Sequence, residues 1–143
     1  MEGASPARLY ATLIGGTLVI AGIVGFFINA SFDAGDSVQS ENLLGVSING
    51  WENVIHIVTG GIGLALAGTR AREYALGLGA VYILVAFLGF IEFGSGDTTD
   101  TILQLIPVNS EANILHLALG VLGIGAGLST PGGRGRRRTP ATA

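Results

Sequence analysis

Two histidines are the residues of this sequence whose type and surroundings best suit chemistry. His56 and His116 are the only histidines among 143 residues, and each lies inside an apolar stretch. Ionisable groups inside such stretches are rare, and imidazole both binds metals and titrates near neutral pH. Three roles are therefore open: interhelical hydrogen bonding, ligation of a b-type haem or a metal ion, or proton transfer and pH sensing.

Other features of the sequence argue against some versions of these three roles but do not select one of them. Cysteine is absent, which excludes disulfides and thiolate chemistry. Zinc takes four ligands and two histidines supply only two; Glu52 and Glu111 lie near in sequence, but we expect both to face lipid headgroups. A proton path lacks acidic residues toward the other side of the membrane. Since no Ser–His–acid, HExxH or paired-carboxylate motif is present, we expect a protein that is not an enzyme.

The segments around the two histidines are copies of one another. Residues 48–63 (INGWENVIHIVTGGIG) align without gaps on residues 108–123 (VNSEANILHLALGVLG), at an offset of 60. The shared residues, spaced 0, 4, 7, 11 and 14, fall on one stripe of a helix. They are Asn49, Asn53, His56, Gly60 and Gly63, matched by Asn109, Asn113, His116, Gly120 and Gly123.

Each residue type in this stripe predicts a structural task. Asn49 and Asn109 stand where helices begin and are expected to be N-caps. Asn53 and Asn113 lie one turn further in, where an unpaired amide in hydrocarbon would cost several kcal/mol, so we expect interhelical pairing. The glycines allow close packing of helices. In the simplest geometry the second and fourth helices face each other, stripe to stripe; alternatively, each stripe faces the first or third helix of the other hairpin.

Four apolar stretches position these residues. Each has about 17–22 residues, the length that crosses roughly 30 Å of hydrocarbon, and 49% of the chain is hydrophobic against 12% charged. We predict an all-α, integral membrane four-helix bundle of two tandem hairpins, related by a pseudo-two-fold axis along the membrane normal. The segments are a terminus at 1–8, a membrane domain at 9–128 with spans at 9–30, 50–67, 74–93 and 112–128, and a disordered basic tail at 129–143.

The charges predict the orientation of the bundle. All seven basic residues are arginines, and they lie at the N-terminus, in the second link and in the tail (Arg8, Arg70, Arg72, Arg134, Arg136, Arg137 and Arg138). Eight of the ten acidic residues lie in or beside the other two links. The positive-inside rule then places both termini in the cytoplasm of a plasma-membrane protein. The net charge of −3 argues against a nucleic-acid partner.

Three aromatic residues near the span ends, Tyr10, Trp51 and Tyr74, are expected to be anchors at the membrane interface. The expected partners are the lipid bilayer and a second copy or another membrane protein. The function that the sequence favours is structural or in assembly, with the Asn/His stripe joining helices; haem b or metal binding by His56 and His116 is the alternative, and pH sensing or proton or solute transfer is a further one.

The twice-used pattern N-x-x-x-N-[VI]-[IL]-H-[IL]-x-x-G resembles a prokaryotic membrane family catalogued as a domain of unknown function, number four-three-eight-three. The resemblance covers about residues 8–128. In that family the second and fourth helices carry an Asn-x-x-x-Asn-x-x-His stretch, matched here by Asn49, Asn53 and His56 and by Asn109, Asn113 and His116. One departure is the pair Trp51 and Glu52, where members tend to be less polar. The resemblance implies a four-helix integral membrane protein and brings no activity.

Overall fold

Helices make up most of the computed structural model, which describes residues 4–92 and 100–132. Within these residues there are four: α1 (Pro6–Ile28), α2 (Gly50–Leu66), α3 (Ala71–Glu92) and α4 (Ser110–Leu128). By length and composition, α1, α3 and α4 are long and apolar enough to cross a membrane. α2 has 17 residues. The predicted tail lies outside the described residues from residue 133 onward, as do residues 1–3 and 93–99.

Two β-hairpins precede α2 and α4, where the sequence predicted only polar links. β1 (Glu41–Leu43) pairs antiparallel with β2 (Val46–Ile48), and β3 (Asp100–Ile102) pairs with β4 (Ile106–Val108). A short 3-10 helix, Gly35–Ser37, leads into the first hairpin. β2 and β4 contact each other, so the two hairpins together cover one end of the bundle, which we call the hairpin end. The other end, where α1 begins and α4 ends, is the termini end.

The turn of the first β-hairpin explains why the hairpin could not be predicted from the sequence. Leu44 and Gly45 both have positive φ, at 54° and 91°. Two positive values suit the two-residue type I′ turn that joins right-twisted strands. Asparagine or aspartate usually precedes the glycine there, whereas Leu44 pays a steric cost in the left-handed region.

The helices pack as two pairs, α1 with α2 and α3 with α4. The expectation that α2 and α4 face each other, stripe to stripe, is wrong for most of the stripe, because the backbones of the two helices stay apart. The alternative, in which each stripe faces the first or third helix of the other helical hairpin, is also wrong for most of the stripe. The reason is that α1 and α3 carry glycines of their own: a Cβ added to Gly60 would lie 2.5 Å from the carbonyl oxygen of Gly15, and one added to Gly79 would lie 2.9 Å from that of Gly120. Backbones approach most closely where both helices lack side chains.

Near the termini end, the stripe meets the other helical hairpin through two tyrosines. Tyr74 fits against Gly63 and Tyr10 against Gly123, and the two rings lie 6.5 Å apart. The prediction that Tyr10 and Tyr74 are interface anchors is wrong: both are only 7% exposed and belong to the buried core between α1 and α3. Trp51 differs from them, being partly exposed at the hairpin end, where its indole donates to the carbonyl of Asp33.

Candidate functional site

The asparagines at the start of α2 and α4 do two jobs each. The Oδ1 of Asn49 accepts from the backbone N–H of Glu52 and that of Asn109 accepts from Ala112, both at 3.0 Å, so each asparagine caps its own helix. The Nδ2 of Asn49 donates to the carbonyl of Leu105 at 2.6 Å, in the second hairpin. The Nδ2 of Asn109 donates to the carbonyl of Gly45 at 2.7 Å, in the first hairpin. We call this reciprocal pair of bonds the asparagine clasp.

The tyrosines form a similar pair of bonds deeper in the bundle. The hydroxyl of Tyr10 donates to the carbonyl of Leu119 at 2.9 Å, and that of Tyr74 donates to the carbonyl of Thr59 at 3.2 Å. Leu119 follows Thr59 by the same 60 residues that separate the two stripes. Each hydroxyl therefore joins a helix of one helical hairpin (α1 and α2) to a helix of the other (α3 and α4). We call these two bonds the tyrosine clasp.

The inner asparagines of the stripe are buried within their own helical hairpins, Asn53 between α2 and α1 and Asn113 between α4 and α3. Asn53 lies directly over Gly25 and Asn113 directly over Gly89, with no room for a Cβ on either glycine. The Nδ2 of Asn53 donates to the carbonyl of Asn29 at 2.8 Å, just past the end of α1. The pairing of Asn53 is therefore with the neighbouring helix rather than with the other repeat. Gly60 and Gly120 pack in the same way against α1 and α3.

The two histidines meet between α2 and α4, together with a carboxylate. Glu52, His56 and His116 each bring one ligating atom to a cluster in which all three atoms lie within 4.8 Å of one another. The Nε2 of His56 is 3.8 Å from the Oε1 of Glu52, one helical turn earlier. We call these three residues the Glu/His cluster. Thus the side chains of α2 and α4 converge where their backbones do not.

The position of Glu52 contradicts the expectation that it faces lipid headgroups. Its side chain turns into the bundle and is 4% exposed, whereas that of Glu111, in the first turn of α4, is exposed. The repeat aligns Glu52 with Ala112. The carboxylate is therefore an addition to the repeated pattern, present in one copy only.

Two polar atoms of the cluster have no hydrogen-bond partner among the residues that the structure describes. They are the Oε2 of Glu52 and the Nδ1 of His116, and both are buried. The ring of Tyr82, on α3, packs against His116 with centroids 4.8 Å apart. A buried polar atom that lacks a partner costs on the order of 1–3 kcal/mol. The hydroxyl of Ser31 and the Oδ1 atoms of Asn53 and Asn113 also lack a partner among the described residues, but only the cluster combines such atoms with ionisable groups from two helices.

A family model describes nearly this whole bundle. The model for a domain of unknown function (DUF4383) matches residues 8–129, which include all four helices almost completely and both hairpins. The chain belongs to this family. No curated protein and no solved structure matches it. Since the DUF4383 description assigns no activity, a function has to be argued from the site itself.

Two cavities flank the cluster in this DUF4383 chain. One, of about 290 Å³, lies between α1 and α4 beneath the first hairpin, and the other, of about 230 Å³, lies between α2 and α3 beneath the second. Their walls are otherwise mostly aliphatic, but both are lined by Glu52, His56, Tyr82 and His116. The cluster therefore forms a polar partition between two small apolar spaces. A single ion suits this partition better than a macrocycle, because Glu52 and Tyr82 occupy the space beside the imidazoles.

Sequence reasoning identified the histidines but misjudged Glu52, and it did not connect Tyr82 with the histidines. The signal for Glu52 is its spacing: it precedes His56 by four residues and so lies on the same helix face. No comparable spacing points to Tyr82, which reaches His116 from another helix.

Proposed function

We propose that the protein is a four-span protein of the plasma membrane, with both termini in the cytoplasm, built from two hairpins in tandem related by a pseudo-two-fold axis. Three helices long and apolar enough to cross a membrane support this, as do the 17 apolar-rich residues of α2, about 26 Å at 1.5 Å per residue. The repeat at an offset of 60 supports the tandem arrangement. Arg8, Arg70 and Arg72 lie at the termini end, which supports a cytoplasmic location for that end.

Its proposed role is structural or in assembly rather than enzymatic. The observation that carries this proposal is what the repeated polar residues do. The side-chain amides of Asn49, Asn109 and Asn53 donate hydrogen bonds that join different secondary-structure elements. Interhelical bonds of this kind contribute about 0.6 kcal/mol each and fix the register of helices. The outward faces are apolar, with Phe27 and Leu13 largely exposed. Lipid, or a further membrane helix, is what such faces contact.

The proposed partner is a second copy of the chain, packed against outward-facing glycines. Gly16 on α1 and Gly61 on α2 have open space where a Cβ would lie, unlike their neighbours Gly15 and Gly60. Small residues on an outer face let another helix approach closely. A dimer formed in this way would make the bundle part of a larger membrane assembly.

The absence of cysteine makes both proposals testable by introducing single cysteines. In intact cells a membrane-impermeant maleimide should label Gln39→Cys, in the first link, and should label Thr69→Cys, between α2 and α3, only after lysis. The reverse pattern would overturn the orientation. In native membranes Gly61→Cys should form disulfide-linked dimers more readily than Leu13→Cys, an exposed control on α1. Equal crosslinking of the two would indicate random collision and reject the glycine interface.

A second candidate is haem binding, which the meeting of His56 and His116 between α2 and α4 favours. Protein purified in mild detergent from haem-supplemented cells would then show a Soret band that shifts on reduction with dithionite. The band would be lost in His116→Ala. A folded, monodisperse and colourless preparation would reject haem.

A further inference from the structure

We propose that Glu52, His56 and His116 form a binding site for one divalent first-row transition-metal ion. This goes beyond the structural role, since the two clasps hold the bundle together without using any of the three residues. The ion would join α2 to α4 at a place where side chains of the two helices converge.

The donor set selects the class of metal. Two imidazoles and one carboxylate suit Zn²⁺ and Fe²⁺, and leave one or more coordination positions open. Ca²⁺ and Mg²⁺ prefer a shell made of oxygen atoms, and soft ions such as Cu⁺ prefer sulfur ligands. Cysteine is absent from the chain. The chemistry of the cluster therefore fits a borderline divalent cation.

The unsatisfied atoms supply an argument independent of the donor set. The Oε2 of Glu52 and the Nδ1 of His116 are buried and have no partner among the described residues. Leaving a carboxylate and an imidazole in such a place is costly, and a cation between them would offset that cost. Glu52 has no counterpart in the other repeat, where Ala112 stands. The carboxylate is therefore not part of the structural pattern that the two repeats share.

The spacing of the cluster is compatible with closure around an ion. Ligand atoms around a tetrahedral Zn²⁺ with bonds of about 2.0–2.1 Å are about 3.4 Å apart, and the three atoms here lie within 4.8 Å of one another. The difference is within reach of small side-chain rotations. Open coordination positions would face the two flanking cavities, which offer room for water or a small ligand.

The test uses the full chain in mild detergent, stripped with a chelator and titrated with Zn²⁺ by calorimetry, with metal analysis after desalting. We expect one ion per chain. Glu52→Gln and His116→Ala should each weaken Zn²⁺ binding at least 100-fold, since even second-shell substitutions cost 10–100-fold. Glu111→Gln, a change of an exposed glutamate in the first turn of α4, should leave the affinity unaltered. Co²⁺ in place of Zn²⁺ should give visible absorption bands that Glu52→Gln abolishes.

Two results would overturn the proposal. One is a wild-type chain that retains less than a tenth of an equivalent of Zn²⁺ although it is folded and monodisperse. The other is equal binding by Glu52→Gln and Glu111→Gln, which would locate the ion elsewhere. Should His116→Ala fail to fold, Glu52→Ala remains decisive, because alanine already occupies the equivalent position of the other repeat.

Discussion

Asn49 and Asn109 make reciprocal hydrogen bonds at the hairpin end. Each donates its side-chain amide to a backbone carbonyl in the turn of the β-hairpin that precedes the other's helix. Asn49→Ser should separate this clasp from the N-cap, because serine caps a helix about as well as asparagine but offers no amide. We expect a loss of about 1 kcal/mol in the free energy of unfolding. Asn49→Ala should lose about 1 kcal/mol more, since the cap is lost too. Unfolding in mixed micelles can be followed by the fluorescence of Trp51, the only tryptophan.

Asn42 offers the control for this experiment, because it is an exposed asparagine on β1. Asn42→Ser should change the free energy of unfolding by less than about 0.5 kcal/mol. If Asn49→Ser were equally harmless, the clasp would contribute nothing to stability.

Adjacent glycines on α2 should respond to alanine with opposite signs. A Cβ on Gly60 would meet the carbonyl oxygen of Gly15 at 2.5 Å, so Gly60→Ala should force α1 and α2 apart and cost about 1–3 kcal/mol. Gly61 faces open space within one chain, so in monomeric protein Gly61→Ala should be neutral or stabilise by up to about 1 kcal/mol through helix propensity. The thermal midpoint in detergent distinguishes them. Equal midpoints would mean that α1 and α2 are not in contact at Gly60.

Removing the hydroxyls of the tyrosine clasp should weaken the contact between the two hairpins. Tyr10→Phe and Tyr74→Phe keep the packed rings and should each cost about 0.6 kcal/mol, at most about 1.7. The two losses should be similar, since the bonds are similar in kind and reach carbonyls at equivalent positions of α2 and α4. SDS-induced unfolding measures both. No loss in either variant would mean that the hydroxyl bonds contribute nothing to the contact between the two helical hairpins.

The metal-free protein should tolerate the loss of Glu52. A buried carboxylate with an unpartnered oxygen destabilises the folded state. In the presence of chelator, Glu52→Gln and Glu52→Ala should therefore leave the free energy of unfolding unchanged or raise it by about 1 kcal/mol. Added Zn²⁺ should raise the thermal midpoint of the wild type but not of these variants. A clear loss of stability in chelator would instead make the contact between Glu52 and His56 structural.

The sequence was informative where the constraint is local. Asn49 and Asn109 could be placed at helix starts because capping depends on residues within one turn. Mostly helical structure with membrane-like apolar helices follows from the length and composition of the stretches.

Prediction failed where the constraint comes from a distant element. A stripe at heptad spacing says which residues share a face but not which helix covers it, and the glycines of α1 and α3 decided that. Tyr10 and Tyr74 lie near helix ends, where anchors are common, yet a partner glycine across the bundle draws each of them inward. Glu52 was misjudged because the residues around its side chain include His116, which is 64 residues away along the chain.

The reciprocal form of both clasps bears on how such a chain arises. In an isologous interface, one residue of the first subunit contacts a second residue of its partner, and the partner returns the same contact. Asn49 with Leu105 and Asn109 with Gly45 follow that rule, as do Tyr10 with Leu119 and Tyr74 with Thr59. Within this single chain the two halves thus contact each other as two subunits of a homodimer would, joined by the short turn after α2. Chains cut in that turn and coexpressed should reassemble.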